Sequence, residues 1–189
     1  MTDPVAVPLN RAYRLLNHGP TVLVTTADGA RRDVMAAAWV MAVDFDPPKI
    51  AIVIDRPTLT RAMVDATGRF GLTVPPVAAL DLTNAVGNVS GHAVDKFARW
   101  GIDCFDDAPG TPPRLRAGIA WLDCRVIAEP GVQTAHDLFV AHVTAAWADP
   151  RVFQDGRWRE ADAALRTIHH IAGGVFFAAG AMLTARDPE

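Results

Sequence analysis

A mainly antiparallel β-barrel with a few short helices on its outside is the fold class that this sequence predicts. Three observations lead there. Short β-branched or alternating runs recur at close intervals between Thr21 and Phe177. Two helical stretches interrupt them, without the regular strand–helix alternation of a doubly wound sheet. No GxGxxG follows a strand and no GxxxxGKS/T occurs, so neither the dinucleotide nor the P-loop fingerprint is present, and Gly173-Gly174 alone lacks phosphate-loop spacing.

Taken in order, Leu9 to Leu16 has the spacing of one or two helical turns, ended by His18-Gly19-Pro20. Thr21 to Thr26 is short and β-branched and reads as a strand. Asp28-Gly29 is a turn, and Arg32 to Val43 reads as one second strand antiparallel to the first. Asp46-Pro47-Pro48 breaks it, and Lys49 to Ile54 is a nearly continuous apolar, central strand. Thr58 to Ala66 reads as a helix with Thr58 as N-cap and Gly68 as its stop. Phe70 to Val74 is a strand and Val77 to Val86 a second helix. A loop begins at Gly87, and Ala108 to Pro113 is also loop. Ile119 to Ile127 and Leu138 to Trp147 alternate as half-buried strands do. Gln154-Asp155-Gly156 is a turn, Ala161 to Leu165 a short helix at most, and Ile168 to Phe177 closes the barrel or packs on it.

The 189 residues carry no repeat or linker that would divide them, and they are read as a single domain over 1–189. Half the residues are hydrophobic, which suits either a well-filled core or a buried subunit interface. The formal net charge of −3 and the lack of a basic run argue against nucleic acid as a partner. Cys104 and Cys124 make no secreted disulfide framework. Met1 to Asn10 has no signal-peptide pattern, and no apolar run approaches the about 18 residues of a membrane helix, so a cytoplasmic location and no membrane partner are expected. On that expectation the acceptor pattern Asn88-Val89-Ser90 is a chance match.

Several stretches could carry chemistry. In Asp33 to Met41 the small residues, Ala37 among them, would let a flat ligand lie close to the backbone, with Trp39 as an aromatic wall. A buried strand with Trp39 in the core would use the same residue types. In Asp55 to Arg61 an apolar strand meets a helix start, where free amides and the helix dipole attract anions; Arg56, Thr58 and Thr60 stand there. An ordinary capped helix with solvated arginines is the alternative. In Ser90 to Phe97, Ser90-Gly91 permits close backbone approach and Lys96 offers a point charge suited to phosphate, against a plain Asp95–Lys96 surface pair.

The pattern Ser90-Gly91-x-x-x-Asp95-Lys96-Phe97 resembles the signature of the flavin reductase family. Met35 and Trp39 match that family's Asn-x-Met-Thr-x-x-Trp, with Asp33 where Asn is usual and Ala36 where a hydroxyl residue is common. The resemblance implies a split β-barrel that binds FMN (or FAD), as a homodimer. It places Lys96, Thr60 and the neighbouring arginine at the flavin phosphate. Trp39, His136 and Phe176 or Phe177 would shape the ring pocket. It implies hydride transfer from NAD(P)H, chemistry that belongs to the cofactor, with His136 as a possible contributor. A partner oxygenase could then take the electrons. Two other readings stay open: a flavoredoxin-type electron carrier with little NAD(P)H turnover, and a split-barrel protein that has lost flavin. His142 reads as structural or surface, His169-His170 point to opposite strand faces, and no metal site is expected. Cys124 reads as a small core residue.

Overall fold

The computed structural model describes residues 2–105 and 108–186. Its main sheet is built from β1 (Val5–Ala6), β2 (Val22–Asp28), β3 (Arg31–Ala37), β4 (Val40–Phe45), β5 (Pro48–Val53), β6 (Arg69–Val74), β7 (Ala120–Ile127) and β8 (Leu138–Ala148). The strands pair antiparallel in the order β3-β2-β6-β7-β8-β5-β4, with β1 alongside β8. This is the mainly β, split-barrel class. Short hairpins β9 (Phe153–Gln154) with β10 (Arg157–Trp158), and β11 (Ile168–Ala172) with β12 (Val175–Ala178), follow.

The sheet order places the split. Strands β3 and β4 follow one another in the chain, yet they lie at opposite ends of the order. The expected single strand from Arg32 to Val43 is therefore two strands, broken at Ala38-Trp39. Three consecutive alanines supply little side-chain packing to keep the run in one ladder, and the Trp39 carbonyl instead accepts from Val53 N at 3.0 Å. The chain thus steps across the open seam at Ala38-Trp39, and Trp39 stays 75% exposed rather than entering the core.

The barrel interior holds Phe70, Leu72, Leu122, Phe139, Ile50 and Ile52, all fully buried. Each such side chain contributes about 1.5–3 kcal/mol of transfer free energy. A second, smaller cluster lies outside the barrel wall: Leu23 and Val34 of β2 and β3 pack with Val86, Phe97, Ile102 and Leu115. It exists because the helices α3 (Leu80–Asn88) and α4 (Lys96–Trp100) lay apolar residues against the outer face of that sheet edge.

The helices follow local chemistry. α1 (Leu9–Ala12) runs into a 3-10 turn, Tyr13–Leu15. α2 (Leu59–Thr67) starts where Thr58 Oγ1 accepts from Arg61 N at 3.1 Å, and it ends at Gly68, whose φ of +66° suits glycine. The expected helix Val77–Val86 is a 3-10 turn, Val77–Ala79, followed by α3. One further helix, α4, lies in the expected loop from Gly87, and another, α5, in a stretch to which no element had been assigned. In α4, Asp95 Oδ1 accepts from Ala98 N at 3.0 Å as N-cap. α5 (Pro130–His136) opens with proline at its first position, where no N–H is needed. The β11–β12 hairpin packs on the barrel, joined by Thr21 N to Ile168 O at 2.9 Å and by His170 N to Thr21 Oγ1 at 2.8 Å.

Candidate functional site

Around the seam the structure separates two groups of residues that the sequence had joined. The first is a buried polar cluster. Lys96, at the first turn of α4, points inward; its Nζ donates to Val34 O at 2.6 Å and to Val86 O at 2.9 Å, and stands 3.8 Å from Asp33 Oδ1. Thr60 Oγ1, from α2, donates to Asp33 Oδ2 at 2.7 Å. Lys96, Asp33 and Thr60 are all buried. Burial pulls the Lys96 ammonium below its usual range, and the Asp33 carboxylate partly offsets that pull.

Residues expected at a flavin phosphate here bond to the protein itself. The Lys96 donors are directed to two carbonyls and one carboxylate, and the Thr60 hydroxyl to Asp33. The neighbouring Arg61 is buried too; it bonds Asp65, Asp137 and the carbonyls of Ile54 and Gln133. Asp33, expected at a flavin ring or ribityl chain, stands 3.8 Å from Lys96 Nζ. Gly91 closes the cluster: a Cβ there would lie 2.7 Å from Asp33 Cγ, so only glycine lets the loop cover the carboxylate. The motif Asp95-Lys96-Phe97 reads as three structural tasks. Asp95 caps α4, Lys96 ties it inward, and Phe97 fills the outer cluster beneath the Arg32 guanidinium, 4.2 Å from the ring centroid.

The second group lines an open cleft. Two hollows of about 270 and 520 Å³ adjoin, with Ala36, Ala37, Ala38, His170 and Gly173 in the walls of both. Met35, Trp39, Val53 and Asp55 line the larger part; Asn84, Gly87, Asn88 and Phe176 line the smaller. Of the expected residues, Met35, Ala37, Trp39 and Phe176 meet here. The floor is formed by residues with no side chain beyond Cβ. Its lateral wall is the C-terminal half of α3, which approaches so closely that a Cβ at Gly87 would stand 3.1 Å from that of Ala36. Across the cleft, the His170 ring meets Phe176 edge-on at 5.1 Å.

Other expected residues stand apart from the cleft walls. Arg56 is exposed at the start of α2, beside the cleft residue Asp55, and bonds Thr134 O and Asp137. Thr58 is the N-cap, its hydroxyl also donating to Asp55 O at 2.7 Å. Ser90 Oγ accepts from His92 N at the surface. His136 ends α5, exposed, and lines neither hollow. Phe177 lies on the opposite hairpin face from Phe176 and is 68% exposed. Cys124 is buried, and burial pushes its thiol up.

Sequence reasoning passed over Asn84, Asn88 and His170. Asn84 stood on the expected helix and Asn88 four residues on, in the expected loop; both belong to α3, and Asn88 Nδ2 donates to Asn84 Oδ1 at 3.0 Å. His170 carried no such signal, because the hairpin fold alone brings it over Ala36–Ala38. Asn84, Asn88, His170 and Asp55 are polar groups of the cleft, and no lysine or arginine is among its described lining residues. A flat, largely apolar ring with polar edges fits such a site: small residues beneath, an aromatic at each end, amides and an imidazole at the rim.

Comparison with known proteins identifies the family. The model of the flavin reductase like domain matches residues 14–162. The Escherichia coli protein YddH is 44% identical over 188 residues, 98% of this chain and 100% of that protein. The crystal structure of an FMN-binding domain of a flavin reductases-like enzyme from Shewanella baltica superposes with a TM-score of 0.93 at 44% identity, covering 97% of this chain and 98% of that one. Flavoredoxin of Desulfovibrio vulgaris shares the fold, with a TM-score of 0.75 at 22% identity over 88% and 90% of the two chains. The chain belongs to the flavin reductase-like family of FMN-binding split-barrel proteins.

Proposed function

We propose that this protein holds FMN in the Ala36–Ala38 cleft and works as an NAD(P)H-dependent flavin reductase. The observation that carries this reading is the cleft itself: a backbone-level floor, flanked by Trp39 and Phe176 and rimmed by Asn84, Asn88 and His170. Bound flavin supplies the redox chemistry, accepting a hydride from a reduced nicotinamide. The protein's part is to hold and orient. Ala36–Ala38 and Gly173 would receive one ring face, and the side amides of Asn84 and Asn88 would meet its polar edge. At the other end the first-turn amides of α2 and the exposed Arg56 are the groups suited to a phosphate, in place of the inward-turned Lys96.

A second copy of the chain would complete the molecule. Edge strand β4 presents Met41, Val43 and Phe45 outward, next to Trp39, and all four are more than half exposed. Such a contiguous apolar stripe on a sheet edge marks an interface. Light scattering after size exclusion is expected to give a dimer, and Met41→Lys with Phe45→Lys a monomer.

The function is tested by the absorbance spectrum of the purified protein with FMN under nitrogen, before and after adding NADH and then NADPH. Flavin bands that bleach with either nucleotide are the expected result. Bands that persist with both would replace the reductase with an electron carrier. No retained or titratable flavin would overturn the reading.

A further inference from the structure

The structure assigns to this chain a second small-molecule site, separate from the Ala36–Ala38 cleft, for a compact apolar molecule carrying one hydrogen-bond donor. The site is a hollow of about 310 Å³ that has no lining residue in common with the cleft. Its walls include Val152, Trp158, Ala161, Leu165 and Met182. His18 and the buried Thr167 bring polar atoms to it. Arg159, Glu160 and Arg166 also line it, Arg159 bonded to Asp155. The β11–β12 hairpin serves both sites. His169 and His170 follow one another on β11 and so face opposite ways. His170 lines the cleft, whereas His169 meets the His18 ring edge-on at 5.6 Å.

Three side chains fix their protons in series. Gly19 O only accepts, so His169 Nδ1, 2.9 Å away, carries the proton of the neutral ring, and His169 Nε2 carries the lone pair. Thr167 Oγ1 stands 3.3 Å from that nitrogen and therefore donates to it. A hydroxyl has one proton, so toward His18 Nε2, 3.1 Å away, Thr167 Oγ1 can only accept. His18 Nε2 is thus the protonated nitrogen. Its Nδ1 is left as a lone pair with no protein partner among the described residues. His18 is exposed, so this acceptor is open to a ligand. A donor on the ligand completes the series, and its apolar body lies against Trp158, Leu165 and Met182. A ligand that only accepts would set lone pair against lone pair.

Phenol and anisole separate the two requirements, because they share a ring and differ in the O–H. Each is titrated into isotope-labelled protein saturated with FMN at about pH 8, where ordinary imidazoles are neutral. Nuclear magnetic resonance follows the imidazole nitrogens and the Trp158 indole N–H, which donates to Arg14 O. Before ligand is added, His18 is expected as the Nε2–H tautomer and His169 as the Nδ1–H tautomer. Phenol is expected to shift His18 Nδ1 and the Trp158 indole together and saturably, and to bind about fivefold tighter than anisole, the scale of one neutral hydrogen bond. His18→Phe keeps a ring and removes the lone pair, so the preference for phenol should vanish while FMN affinity stays at the wild-type value. The same shifts are expected without FMN, so failure of the flavin reading leaves this test intact. Opposite tautomers would overturn the proposal. So would a phenol response confined to His170 and the cleft, equal affinity of the wild type for phenol and anisole, a preference for phenol that survives in folded His18→Phe, or no saturable shift with millimolar phenol.

Discussion

The buried cluster and the cleft follow one another along β3 and the residues just after it, and they use opposite chemistry. At Asp33 and Val34 the strand faces a closed environment in which Lys96, Asp33 and Thr60 satisfy one another. At Ala36–Ala38, a few residues on, it faces an open depression with small side chains and neutral amides. Lys96, Asp33 and Thr60 bond to one another and to the scaffold, while the proposed flavin cleft is built by backbone and small residues. The difference teaches that neighbouring residues of one strand can meet a closed polar environment and an open apolar one.

That comparison breaks most sharply at Asp33. Asp33→Ala leaves the Lys96 ammonium as a buried charge without its carboxylate, and a loss of about 3–5 kcal/mol is expected by chemical denaturation. If stability is unchanged, the cluster is not the closed unit described. Gly91→Ala forces a Cβ onto the Asp33 carboxylate, and about 1–3 kcal/mol is the scale of such overpacking. Thr60→Val keeps the shape and removes one hydrogen bond to Asp33, which costs about 1 kcal/mol; equilibrium unfolding of the folded variant reads it. His170→Ala tests the other side. It should weaken flavin binding by about 1 kcal/mol through the lost ring contact. Its melting temperature should stay at the wild-type value, because His170 is exposed. A His170→Ala variant that unfolds, yet binds flavin normally when folded, would erase the distinction between the two regions.

Much of the fold was legible in the chain. Alternation in Leu122, Cys124 and Val126 and in Phe139, Ala141 and Val143 announces half-buried strands, and these residues do line paired strands of the barrel. Thr58 and Gly68 mark the ends of α2 because capping is local chemistry. The break at Ala38-Trp39 was not legible: small and aromatic residues are compatible with one long strand, and only closure of the sheet around the barrel decides that β3 and β4 part there. α4 was read as loop for a related reason. Its five residues are too few for a periodic signal, and it is stabilised by Phe97 packing against distant Leu23, Val34 and Leu115.

The sequence by itself determined the class of fold, the family and the stretches around which a site would form, because periodicity, capping and motif spacing are properties of neighbours in the chain. The tertiary structure alone decided which way the functional-looking side chains point. Lys96 faces two carbonyls from segments 62 and 10 residues away, and His170 comes over the cleft on a hairpin held by Thr21, 149 residues distant. A lysine suits a phosphate and a buried carboxylate equally well. Which one it meets depends on what the barrel, α2 and the loop at Gly91 place within reach of its ammonium.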